Sequence, residues 1–146
     1  MATVFSVITD AFEAALLAAP AVVPAEAIFR ARERAVPGAM NQAVNIQWAL
    51  GDPEPGAIHG APVDWKTTVV VECYACSTNE SGERAVDPLL ERVYERLAAD
   101  TTLGGLVDDV GVPRLAAEFG AEGKKTGWVQ MTYLVMHQTS NLKLSS

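Results

Sequence analysis

Two long stretches, Trp65–Cys76 and Trp128–Thr139, constrain this chain more than any other feature. The first is rich in β-branched residues, and the second places Val129, Met131, Tyr133 and Val135 at every other position. Successive side chains of a strand point to opposite faces, so such a pattern buries one face of a sheet and leaves the other free. Three shorter stretches alternate as well. Over Ala27–Val36, Phe29 and Ala31 point one way, and Arg30, Arg32 and Arg34 share the other face. Over Val44–Leu50, Val44, Ile46, Trp48 and Leu50 form an apolar face with Asn45 and Gln47 opposite, and over Arg114–Phe119 the apolar side is Leu115, Ala117 and Phe119. Pro37 and Gly38 mark a turn between the first two of these, and Gly120, Gly123 and Gly127 a turn into the last strand.

Two segments have helical spacing instead. Val4, Phe5, Ile8, Phe12, Ala15, Leu16 and Ala19 make an amphipathic stripe, with Thr3 as its N-cap and Pro20 and Pro24 ending it. Val86, Leu89, Leu90, Val93 and Leu97 stripe a second helix that runs to about Ala99. Pro88 leaves two starts open for it: Asp87 as cap with Pro88 at the first position, or an earlier start bent at Pro88. The expected order is helix-strand-strand-strand-helix-strand-strand. It predicts one α+β domain over residues 1–146, with two helices on one face of a mainly antiparallel sheet of four to five strands. Gly51–Asp64 reads as a long Pro/Gly loop, Leu106–Val112 is ambiguous, and residues 140–146 read as a loose end.

The net charge of −7 argues against nucleic acid or an anionic membrane as the main partner. The apolar run Ala14–Val23 has no basic segment before it and Asp10 and Glu13 beside it, so it is not expected to be a signal peptide. No stretch approaches the roughly 20 apolar residues of a membrane span. A soluble protein made in the cytoplasm is the expectation, and two cysteines provide no disulfide framework.

The chain carries little recognisable chemistry. Cys73 and Cys76 form a CxxC, but they end a strand and stand three positions apart, which puts the sulfurs on opposite faces. They read as structural cysteines. His59 lies in the Pro/Gly loop and His137 near the end of the last strand, neither beside a nucleophile motif. Asp100, Asp108 and Asp109 are acidic loop residues with too few oxygen ligands around them for a metal, and no phosphate-cradling pattern surrounds Gly104-Gly105. No enzyme activity, catalytic residue, cofactor or metal site is expected. The row Arg30, Arg32, Arg34 admits two readings, a solvated edge-strand face or a contact row for a neighbouring subunit. With Pro53, Glu54, Pro55 and His59 of the loop, these arginines are the candidate subunit interface.

The pattern resembles the tail terminator, or tail completion, proteins of long-tailed bacteriophages, including the minor tail protein U group of lambda-like phages. The resemblance lies in the strand Trp65–Ala75, in Ala85–Leu90, in Leu97–Gly105 and in Gly127–Val135 with His137; the first half agrees in element order only. It implies a structural virion protein that closes into a ring, a hexamer, on the head-proximal end of the tail tube. Such a ring stops tube polymerisation and offers a surface for head attachment. The implied partners are further copies of the chain, the tail tube protein and a head-completion or connector protein, with DNA passing through unbound and no membrane involved. Phage, prophage and gene transfer agent are not separated by the resemblance. Other readings are a different head–tail connector or neck protein, a small enzyme or ligand-binding domain with a pocket around Trp48, His59 and His137, and a redox protein using Cys73 and Cys76.

Overall fold

The computed structural model describes residues 3–31, 40–54, 61–120, 124–140 and 144. Its elements follow the expected order. They are α1 (Val4–Leu17), a 3-10 turn (Ala25–Ala27), β1 (Ile28–Arg30), β2 (Gln42–Pro53), β3 (Val63–Ser77), α2 (Gly82–Ala98), β4 (Arg114–Gly120) and β5 (Lys125–Thr139). The chain is an α+β domain. The five strands of the described residues join one sheet in the order β1-β2-β3-β5-β4.

The two longest strands lie side by side at its centre, paired antiparallel from Val63↔Thr139 to Ser77↔Lys125. This register puts Val69, Val71 and Cys73 on the same face as Tyr133, Met131 and Val129. There they form one buried cluster with Phe5, Ile8, Phe12 and Leu16 of α1 and Val86, Leu89, Val93 and Leu97 of α2. Both helices therefore cover the same face, because each has only one apolar stripe to bury.

The sheet is mixed rather than uniformly antiparallel: β2–β3, β3–β5 and β4–β5 are antiparallel, and β1–β2 is parallel. A tight turn at Pro37-Gly38 would have produced an antiparallel hairpin, and parallel neighbours exclude one. That turn itself lies outside the described residues. Of the expected strand Ala27–Val36, Ile28–Arg30 forms β1, and residues 32–36 lie outside the described residues. Ala31 has φ of 54°, in the left-handed region, and this ends β1 at Arg30.

Three other expectations are corrected. Gly51–Asp64 is not loop throughout, since β2 continues to Pro53 and β3 starts at Val63, with the Glu54 amide donating to the Asp64 carbonyl at 2.8 Å. Gly127 lies inside β5, between Ala75 and Phe119, not in the turn before it. The end of the chain is not wholly loose, because the Val4 amide donates to the Leu144 carbonyl at 2.6 Å, next to the Thr3 cap of α1.

The ambiguity at Pro88 is settled by an early start. Ser81 caps α2 by accepting from the Arg84 amide at 3.3 Å, so Pro88 sits inside the helix. The same helix holds the end of α1: Arg96 donates to the carbonyls of Ala15 at 2.9 Å and Ala18 at 2.7 Å, and also to that of Pro20. Carbonyls left without amide partners at a helix end are thus satisfied from a neighbouring element.

Candidate assembly surface

The open surfaces of the molecule follow from what the helices and strands leave uncovered. Strand β4 pairs with β5 through Arg114↔Thr132 to Gly120↔Thr126 and, among the described residues, has no strand on its other side. All seven of its residues are exposed. Register places Leu115, Ala117 and Phe119 on the helix-bearing face, opposite Met131, Val129 and Gly127. The helices leave them partly uncovered, and Leu115 and Phe119 remain 49% and 50% exposed. The alternation read from the sequence is real, but its apolar side is a free edge, not core.

A second apolar patch lies on the face without helices. In β2 Trp48 pairs with Val69 and Leu50 with Thr68, so Ala49 is one extra residue, a bulge. A bulge reverses which way the following side chains point. Leu50 was expected beside Trp48 and instead faces the opposite side, in one row with Thr68 and Leu134. Leu50, Leu134 and Met136 are 52%, 42% and 42% exposed. The signal for Leu134 and Met136 was in the sequence: both are apolar residues at outward positions of β5, alternating with the buried Tyr133, Val135 and His137. Clustered exposed side chains of this kind mark contact sites more often than scattered ones do.

The sequence-derived interface residues are only partly brought together. Arg32, Arg34, Pro55 and His59 lie outside the described residues. Arg30 is held within the chain: its guanidinium contacts the Asp10 carboxylate at 2.7 Å and also donates to the Thr9 hydroxyl, so it braces α1. The row expected to continue from it is interrupted by the left-handed Ala31. Pro53 and Glu54 are exposed at the far end of β2, beyond Leu50. Strand β1 reaches only Ile46 of β2, so the stretch from Gln47 to Pro53 also has an open edge among the described residues.

The pocket expected around Trp48, His59 and His137 is occupied by aromatic side chains. Phe5 stacks on Trp48 at 4.9 Å and meets the edges of Trp65 at 5.3 Å and His137 at 5.7 Å. His137 is 2% exposed, with Nε2 2.6 Å from the Thr67 hydroxyl and Nδ1 buried without a partner among the described residues. Burial lowers its pKa from the ordinary 6.5, against a smaller opposing pull from Asp108. Burial thus favours the neutral form of this core imidazole.

The two thiols diverge as strand geometry requires. Cys73 is fully buried beside the Met131 sulfur at 3.8 Å, and burial pushes its pKa up to about 12. Cys76 faces the other way, donating to the Met40 carbonyl at 3.6 Å, and lines a cavity of about 470 Å³ with Pro24, Glu26 and Ala85. Asp100 accepts from the amides of Thr102 at 3.3 Å and Gly104 at 2.8 Å, which makes it a turn-forming residue. Among the described residues no three His, Cys, Asp or Glu side chains gather as metal ligands. Nor is any helix there long and apolar enough to cross a membrane. The chain matches no known protein-family model and no curated protein.

Proposed function

We propose that this chain is a structural subunit of a long-tailed phage particle or a related element. In this reading it is a tail terminator whose copies close into a ring, a hexamer, on the head-proximal end of the tail tube. One observation carries most of the support: the subunit has two unlike apolar patches on opposite faces of its sheet. Leu115 and Phe119 lie on the helix-bearing side of the β4 edge, and Leu50, Leu134 and Met136 on the bare side. A ring is built from head-to-tail contacts, in which each copy offers one patch to its left neighbour and a different one to its right. Pro53 and Glu54, next to Leu50, extend the second patch, and the resemblance of Trp65–Val135 to tail terminators supplies the assembly.

The partners in this reading are the chain itself, the tail tube protein and a head-completion protein. DNA passes through the ring unbound, and a net charge of −7 per copy suits a channel that must not hold phosphate. Deleting the gene and imaging the particles tests the proposal. Tails of uncontrolled length without heads are the expected outcome. Tails of normal length beside unjoined heads would instead assign the chain to a connector of the neck.

A further inference from the structure

We propose that the β4 edge recognises a second copy of itself, and that two chains join β4 to β4 antiparallel, about a two-fold axis at Ala117. The molecule treats its two sheet edges differently. At one edge β1 is only three residues long and is cut off by the left-handed Ala31. At the other, β4 has seven residues, no register shift against β5, and no lysine or proline within Arg114–Gly120. Short strands, bulges, prolines and charged side chains are how proteins keep edges from pairing, and of these β4 has only the charges of Arg114 and Glu118, which are of opposite sign.

The sequence of β4, Arg114-Leu115-Ala116-Ala117-Glu118-Phe119-Gly120, is complementary to its own reverse. With Ala117 opposite Ala117, each Leu115 lies across from Phe119 of the second copy, on the helix-bearing face. Directly opposed aliphatic and aromatic side chains are a favourable cross-strand pair, and the two-fold axis supplies it twice. On the other face Arg114 lies across from Gly120, which leaves its side chain room to reach Glu118, the diagonal neighbour. That opposite-charge contact also occurs twice. The strand thus meets both its apolar and its charged requirements with a copy of itself, and the alanines at the centre keep bulk away from the axis. Pairing joins two five-stranded sheets into one and gives the exposed Leu115 and Phe119 a partner.

This inference does not rest on the ring reading. A two-fold contact uses the same patch on both copies and closes at two, so it is a state separate from any ring that uses β4. The mass of the purified full chain, by light scattering at high micromolar concentration, is expected at twice 15.5 kDa. A mass of one copy, or of a closed ring, overturns the proposal. Arg114→Glu is expected to lose the dimer, and Arg114→Glu with Glu118→Arg in the same chain to regain it; failure of the double variant to recover rejects this register. Ala117→Cys is expected to give a disulfide-linked dimer on mild oxidation, and Thr102→Cys, on an exposed turn, none. Equal cross-linking of the two rejects the axis at Ala117.

Discussion

The backbones of Gly82 and Gly127 meet with no side chain between them. A Cβ on Gly82 would stand 1.9 Å from the Thr126 carbonyl oxygen, and one on Gly127 would stand 2.2 Å from the Gly82 carbonyl oxygen. The first turn of α2 therefore rests directly on β5, just after the Ser81 cap. Gly82→Ala should gain about 1 kcal/mol in helix propensity. The clash is with backbone, which cannot swing aside, and overpacking of this kind costs about 1–3 kcal/mol. Net destabilisation is expected for Gly82→Ala and for Gly127→Ala, read as a lower urea midpoint. A raised midpoint for Gly82→Ala would show that α2 can shift off the sheet at little cost.

Pro88 gives the opposite expectation. It is exposed on α2, and having no amide hydrogen it leaves the Arg84 carbonyl without its usual helical donor. Its exposed position limits the packing lost when the ring is removed. Pro88→Ala should stabilise the protein by about 1–3 kcal/mol, the scale of proline's penalty in a helix interior. The measurement is the thermal or urea midpoint, and a decrease would mean that the proline fixes the chain direction after Ser81 in a way the helix needs.

The elements were largely legible because their apolar residues keep a single period over many positions, as in Trp128–Thr139 and in the stripe from Val86 to Leu97. What could not be read depends on partners far away in sequence. Alternation tells that Leu115 and Phe119 share a side, but not that the helices leave them half exposed there. The bulge at Ala49 is set by the register of β2 against β3, so the reversal of Leu50 has no local signature. The pairing of Arg30 with Asp10 spans the turn after α1 and the 3-10 turn, and this contact turned an expected interface residue into a brace. As an exposed pair it contributes on the order of 0.2–1 kcal/mol.

Cys73 provides a test of the strand geometry. Its thiol is buried against Met131 with the pKa pushed up to about 12, so almost none is thiolate near neutral pH. Native protein treated with iodoacetamide should remain unmodified at Cys73, and the residue should react at once in denaturant. Because Cys73 and Cys76 leave the strand on opposite faces, mild oxidation should not join them. An intramolecular disulfide found by mass spectrometry in folded protein would contradict the register of β3.

His137 makes stability depend on pH in a direction that can be worked out. Burial among Phe5, Trp65 and Thr67 favours the neutral imidazole and lowers its pKa below the ordinary 6.5. As pH falls through 6.5, the unfolded chain takes up a proton before the folded one does, and stability begins to decline. The contribution is complete above 6.5 and is lost as pH falls through the lower folded-state value. Asp108, which pulls the other way, moderates the loss. The urea midpoint should therefore be level above neutrality and fall on mild acidification, before the carboxylates titrate. His137→Leu removes the titrating group and should flatten that decline, whatever it does to the midpoint itself through loss of the Thr67 contact. A decline of equal slope in the variant would place its origin elsewhere in the protein.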